Sequence, residues 1–512
     1  VKGLYLNVPD AERHVRLIDE GLGVPTHLAK IEHGRDRITV SYHPICWPSG
    51  PIFSAAREER TAAASGWFAF RGRVGDLEGF ATSFWSARDP LERIRVLGDL
   101  EAGAYTVLLL RGDERVLITD PFGLHPHYYA GGNPFDRVAP SPFFIKGDQV
   151  PDPALQHALD RQGHLFGNLT AYQGILRLDP NALIDRTAVR HHFDWSPRID
   201  GGPHPLDALR RSLARFDNAP CVLPISGGLD SRLLLAARRF DYGYTFGPPE
   251  TGDRPVARRF RHHFRDYHEF SLLDLEYPDT LRETGRRLLD GVCGKPFFEL
   301  LAVYQMLYKR WGEGCFFFDG YAGDVLQRGL YMTYGGLKGS LAKLFPAMTR
   351  HRFDPEGLLL RRYPGLDLPT RDLLIEAYRR FTKEWKLTDA RRLVLFELLY
   401  GRGARYILDG GTILSGQFYP PVQPFLIPEV FRSLWQTDPL DAMTYKALRP
   451  IWQEVPAELS DVRTYSGFKP TSNPDVARAT MLLVKGLGRA SLMKRSVSYE
   501  VERSRVRWRK SE

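Results

Sequence analysis

The chain has 512 residues, 43% of them hydrophobic and 26% charged, which excludes fibrous and intrinsically disordered classes and exceeds one ordinary core, so two domains with a helical extension are expected. Its formal charge of +9 is concentrated at one end: nine Lys/Arg against three acids from Lys485 to Glu512 supply +6, which argues against a general nucleic-acid surface. No apolar run approaches the roughly 18 residues of a membrane span, and VKGLYLNVPDAERHV lacks the apolar core of a signal peptide, so a cytoplasmic protein is expected.

The first part reads as β-rich. GWFAFRGRV, from Gly66 to Val74, and AYTVLLLRGDERVLITD, from Ala104 to Asp120, carry aromatic and β-branched runs, the second broken as a hairpin at Gly112 and Asp113. DPFGLHPHYYA follows, and its His125 and His127 fit a structural turn better than a metal pair; His262-His263 and His268 are read the same way. A Pro/Gly stretch after Trp195, SPRIDGGPHP, reads as a linker between domains at 1–195 and 205–512. LDALRRSLARF, CVLPI, SRLLLAARRF and YGYTF then alternate helix and strand, the pattern of a parallel sheet. From Leu373 to about Leu408 the apolar spacing is helical. The basic tail from about Lys485 is an anion-binding arm, a lid or, most simply, a solvated segment. Cys46, Cys221, Cys293 and Cys315 are too few and scattered for a disulfide framework and form no CxxC, so buried free thiols are expected.

One turn carries the chemistry. Ser226-Gly227-Gly228-Leu229-Asp230-Ser231 joins a buried strand to a helix, where backbone N–H groups in a parallel sheet meet anions. The glycines let the backbone approach a phosphate, and Ser226 and Ser231 can donate hydroxyls. A carboxylate beside polyphosphate needs a cation between them, so Asp230 implies Mg²⁺. The Walker loop is excluded, because Gly294-Lys295 is followed by Pro296. CFFFDGYAGDVLQRG, from Cys315 to Gly329, repeats the device with Asp324.

SGGLDS resembles the pyrophosphate-binding signature of the asparagine synthetase-like family, and GYAGD sits where that family has GEGxD. YTFG with Asp253, Ala257 and DYHEF, the stretch DPFGLHPHYYA, and KALRPIWQEVPAELSDVRTYSGF extend the resemblance over nearly the whole chain. It implies an α+β, Ntn-type amidotransferase-like β-sandwich domain, then an α/β domain of ATP-pyrophosphatase type with a helical C-terminal part. It also implies ATP and Mg²⁺, with Asp230 and Asp324 as metal ligands. Ser226 to Ser231, Thr245, Phe246, Gly247 and Gly320 would hold the nucleotide.

Three departures refine the expectation. The sequence opens Val1-Lys2-Gly3, without the family's glutaminase cysteine, and Tyr321 replaces its Glu; both features are similar to the β-lactam synthetase and lasso-peptide cyclase branch. There the Tyr deprotonates an attacking amine together with an acid, for which the stretch RGARYILDGG offers Asp409, and Tyr406 beside it, without a clean match. Tyr465 stands where the family has its catalytic lysine, leaving Lys469 or Lys446 to replace it. The leading expectation is an ATP-dependent amide-forming ligase that adenylates a small-molecule or peptide carboxylate and joins it to an amine, within or between molecules. Ammonia-dependent asparagine synthetase, a nucleotide-binding pseudoenzyme scaffold and a tRNA-modifying enzyme are the alternatives. A homodimer is compatible with the sequence, and no membrane partner is expected.

Overall fold

The computed structural model describes residues 2–55, 58–197, 202–249, 253–332, 353–363, 366–464, 466–489, 502–503 and 505–508. Alternation along the first strands builds the N-terminal half. Leu4 and Leu6 of strand Gly3–Leu6, with Ile38 and Val40 of Asp36–Ser41, face Ala63, Leu108, Leu110 and Leu117 of a second sheet. Tyr5, pointing the other way, packs with Val15, Ile18 and Leu22 of helix Ala11–Leu22. On the far side of the second sheet Ala62, Ala64 and Phe68 meet Phe80 and Phe84 of helix Leu77–Ser86. Two antiparallel sheets are thus stacked between helices, as the expected sandwich requires.

The expected hairpin forms between Leu100–Arg111 and Glu114–Thr119, and Gly112 at its turn takes φ +53°, a conformation glycine enters without steric cost. The Asp120 carboxylate accepts the backbone N–H groups of Phe122, Leu124 and His125, which fixes the turn before the two histidines. His127 Nε2 accepts the Leu4 N–H at 2.9 Å, so its proton lies on Nδ1, beside Thr106 Oγ1 at 3.0 Å. Burial holds His127 neutral, at a pKa of about 4.

The second half contains a five-stranded parallel sheet in the order Phe264–Phe270, Phe240–Phe246, Cys221–Pro224, Phe316–Phe318, Pro421–Val422. Helices Leu368–Thr382 and Asp389–Leu399 follow the apolar periodicity, and Gly403–Thr412 continues as a π-helix. One apolar core runs from Cys46 in the first half to Met481 in the second. Trp67 Nε1 donates to the Pro421 carbonyl and Trp435 Nε1 to the Trp195 carbonyl, each at 2.8 Å. Part of the expected linker, residues 198–201, lies outside the described residues.

All four cysteines are free and buried. Of the basic tail, most lies outside the described residues, but Glu502, Arg503 and Trp508 are docked on the fold while Arg505 and Arg507 are exposed. Glu502 accepts the Ser271 hydroxyl at 2.7 Å and the Leu272 N–H at 3.0 Å, Arg503 pairs with Glu299 at 3.0 Å, and Trp508 packs on Tyr277. Glu502 finds two donors on the turn into the 3-10 segment Leu272–Asp274, and that pairing, with those of Arg503 and Trp508, corrects the solvated-tail expectation for these three residues. No helix among the described residues is long and apolar enough to cross a membrane.

Candidate functional site

Numbered within the parallel sheet, the strands run 3-2-1-4-5, so the order reverses between Cys221–Pro224 and Phe316–Phe318. At such a reversal the chains leaving the two carboxyl ends diverge and open a crevice. Both glycine turns singled out in the sequence leave from these two strands.

The first turn is tightly self-bonded. The Ser226 N–H donates to Ser231 Oγ at 3.2 Å, the Gly228 N–H to Ser226 Oγ at 3.1 Å, and the Gly227 N–H to Asp253 Oδ1 at 2.9 Å. Leu229 is buried below it and Asp230 opens helix Asp230–Ala237. Its carbonyls are held from beneath by Arg232, a fully buried side chain that donates to Gly227 O and Gly228 O at 2.8 Å each and to Val462 O at 2.6 Å. Arg232 therefore ties the turn to the segment around 459–463, which carries part of the resemblance.

The second turn closes on the first. Gly320 lies so near that a Cβ there would meet the Asp230 Cβ at 3.3 Å, and one on Gly323 would meet Asp230 Oδ1 at 2.6 Å. Ala322 between them adopts φ +67°, a left-handed conformation costing about 1–2 kcal/mol in a non-glycine residue. Asp324 sits in the first turn of helix Gly323–Arg328 and acts electrostatically on Asp230. Burial first, and then the Asp324 charge, push the Asp230 carboxyl up from 3.8 to about 6 against the pull of Arg328. Gln327 donates to Asp230 Oδ1 at 3.1 Å and Arg328 to Oδ2 at 2.9 Å.

Tyr321 is buried, and its Oη, which has no hydrogen-bond partner among the described residues, lies 2.4 Å from where a Cβ on Gly403 would stand, with the Tyr331 Oη at 2.9 Å from the same point. The phenol is held neutral by burial, then by Tyr331, Asp324 and Asp319, all of which raise its pKa well above the ordinary value. Asp319 is fixed by the Tyr321 N–H at 3.0 Å and the Thr412 hydroxyl at 3.2 Å. Thus Asp319 and Asp324, not Asp409, are the carboxylates whose charge reaches Tyr321. Asp409 is fully buried and ion-paired with Arg405 at 3.1 Å. Lys469 is at the surface, its ammonium 3.3 Å from Asp461, and Tyr465 lies outside the described residues.

Thr245, Phe246 and Gly247 end the strand beside the first turn. Thr245 is buried, Phe246 stacks on Phe270 at 5.9 Å, and Gly247, at φ +123°, offers its carbonyl to Arg254. His262 and His263, read as structural, lie with Glu458 so that their ligand atoms are within 4.8 Å of one another at the surface.

Sequence reasoning missed Arg232, Gln327 and Arg328. The first had a signal, a cation inside the apolar run SRLLLAA; the other two act across 97 and 98 residues and had none. The donor set suits a hard divalent cation: two half-buried carboxylates leave the adjacent turns, and the charge of one acts unfavourably on the other.

No family model matches the chain, and no curated protein does. Among solved structures, glutamine phosphoribosylpyrophosphate amidotransferase from B. subtilis, complexed with ADP and GMP, is similar to it at 14% identity and a TM-score of 0.20. The match covers 57% of this chain and 63% of that one, so the chain spans less than two thirds of that enzyme's length.

Proposed function

We propose that the chain is an AMP-forming, ATP-dependent carbon–nitrogen ligase of the asparagine synthetase-like kind, with an Ntn-type N-terminal half and an ATP-pyrophosphatase-type second half. One observation carries the reading: two glycine turns, each bearing one acid, leave the two strands that flank the reversal in the parallel sheet, the second turn closes on Asp230, and the charge of Asp324 acts on it.

A carboxylate cannot be displaced by an amine directly, because oxide would be the leaving group. Its oxygen bonds instead to the α-phosphorus of ATP, the bond from that phosphorus to the β-phosphate bridge breaks, and pyrophosphate departs into the Ser226–Ser231 turn. Mg²⁺, held by Asp230 and Asp324, would supply charge neutralisation on the phosphate oxygens. The amine nitrogen then bonds to the acyl carbon, AMP leaves with the oxygen, and the amine proton passes to Tyr321. A buried, neutral phenol is a relay rather than a base, so it needs a carboxylate behind it, and Asp319, whose charge acts on the phenol and which is not one of the proposed metal ligands, would take that part. Thr245, Phe246, Gly247 and Gly320 would face the adenosine.

Exchange of labelled pyrophosphate into ATP, across a panel of β-amino acids, aspartate and acidic peptides, tests the reading. Exchange with at least one carboxylate, without glutamine consumption, is expected. A flat panel beside tight ATP binding would favour the second reading, a nucleotide-binding scaffold. That alternative has an observation of its own, since Asp409 faces Arg405 and Lys469 faces Asp461.

A further inference from the structure

The candidate site holds its own charges where a ligand's charges would go. The Asp253 carboxylate takes the Gly227 N–H, the amide a phosphate oxygen would have to reach. Across the crevice Gln327 and Arg328 engage both oxygens of Asp230, at 3.1 and 2.9 Å. The amides of Ser226 and Gly228 are bonded within the turn. An entering polyphosphate with its cation must therefore replace partners rather than fill free valences.

We propose that Asp253 and Arg328 are ligand-exchange residues: Asp253 holds the turn amide until a phosphate oxygen takes it, and Arg328 holds Asp230 until a divalent cation takes it, which releases the guanidinium towards the phosphates. This inference rests on the polyphosphate reading above. Each exchange is like for like in charge, carboxylate for phosphate and guanidinium for metal ion. At the turn amide and at Asp230 the partner's charge is thus the same before and after the exchange, which avoids leaving those two groups unpaired, the costly state. It also makes the resting site a weak binder of either ion alone, because each ion works against an internal competitor.

Titration calorimetry on the full chain, with Mg²⁺ alone and with inorganic pyrophosphate in the presence of Mg²⁺, separates exchange from mere support. Arg328→Gln is expected to bind Mg²⁺ alone about tenfold tighter, and Asp253→Ala to bind pyrophosphate about tenfold tighter. Asp253→Asn, which keeps an acceptor for the amide and guards against a loosened turn, gives a smaller gain. Side chains that only brace the site would instead lose affinity when replaced, and unchanged or weaker binding in all three variants overturns the inference. If the native chain binds both probes and Asp230→Asn abolishes this while the three variants show no gain, the exchange inference alone fails. If neither the native chain nor any variant binds either probe, the polyphosphate reading fails with it.

Discussion

Asp230→Asn should make the protein more stable and disable its site. Asp230 is held in the fold with its carboxyl raised from 3.8 to about 6, so the folded chain binds that proton more tightly than the unfolded chain does. Ionising the group therefore costs stability: nothing below about pH 4, more as the pH rises to about 6, and a constant amount above. At about 1.4 kcal/mol per pKa unit the cost at pH 7.5 is about 3 kcal/mol, with the help of Arg328 already included. Asparagine keeps the shape and one acceptor without the charge, but its NH2 must face either Gln327 or Arg328, so that sum is the upper limit of the gain. For 512 residues unfolding together, about 2 cal/mol/K per residue makes this about 3 °C in melting temperature. Urea midpoints at pH 7.5, repeated stepwise down to pH 4.5, provide the assay. The gain should shrink through the acid range. A variant no more stable than the native chain at pH 7.5, or one whose advantage ignores pH, refutes the account of a strained carboxylate pair.

Arg232→Met leaves the carbonyls of Gly227, Gly228 and Val462 without their donor; at about 1–3 kcal/mol per buried unsatisfied group, the unfolding free energy from urea titration should fall by at least about 3 kcal/mol, and Arg232→Lys should not restore it because an ammonium cannot span the same fork. Gly403→Ala places a Cβ 2.4 Å from the Tyr321 Oη, so product formation followed by mass spectrometry should drop at least about tenfold while ATP affinity holds. Acid should unfold the chain steeply: His127, His164 and His192 are kept neutral at about 4 and His43 at about 3, each chiefly by burial, so the unfolded chain takes up protons first as the pH falls below about 6.5, and near-ultraviolet circular dichroism should collapse before pH 4. A native spectrum persisting at pH 3.5 contradicts that burial.

The strands, the hairpin and the glycine turns were legible because their signals are local: a period of two, a Gly-Asp break, an apolar run ending in glycines. The placing of Asp230 and Asp324 on neighbouring turns was legible only as a consequence of parallel-sheet topology, which puts the carboxyl ends of adjacent strands on one edge. Pairings between distant segments were not. Nothing near Asp230 in the chain announces Arg328, and nothing in SGGLDS says that Asp253 will occupy its amide. Asp409 is the instructive miss, since Arg405 stands four residues before it, a spacing that sets the two on one helical face and makes an internal ion pair. The docking of Arg503 was hidden for a different reason: an arginine in a basic run reads as solvated unless the acid that receives it, here Glu299, is known to face it.

The most direct measurement is anomalous diffraction from crystals soaked with Mn²⁺ and a non-hydrolysable ATP analogue. The account predicts a manganese peak bridged by Asp230 and Asp324, with the β- and γ-phosphates lying against Ser226–Ser231. Manganese at another place, such as His262, His263 and Glu458, with no phosphate density over the turn, would contradict it.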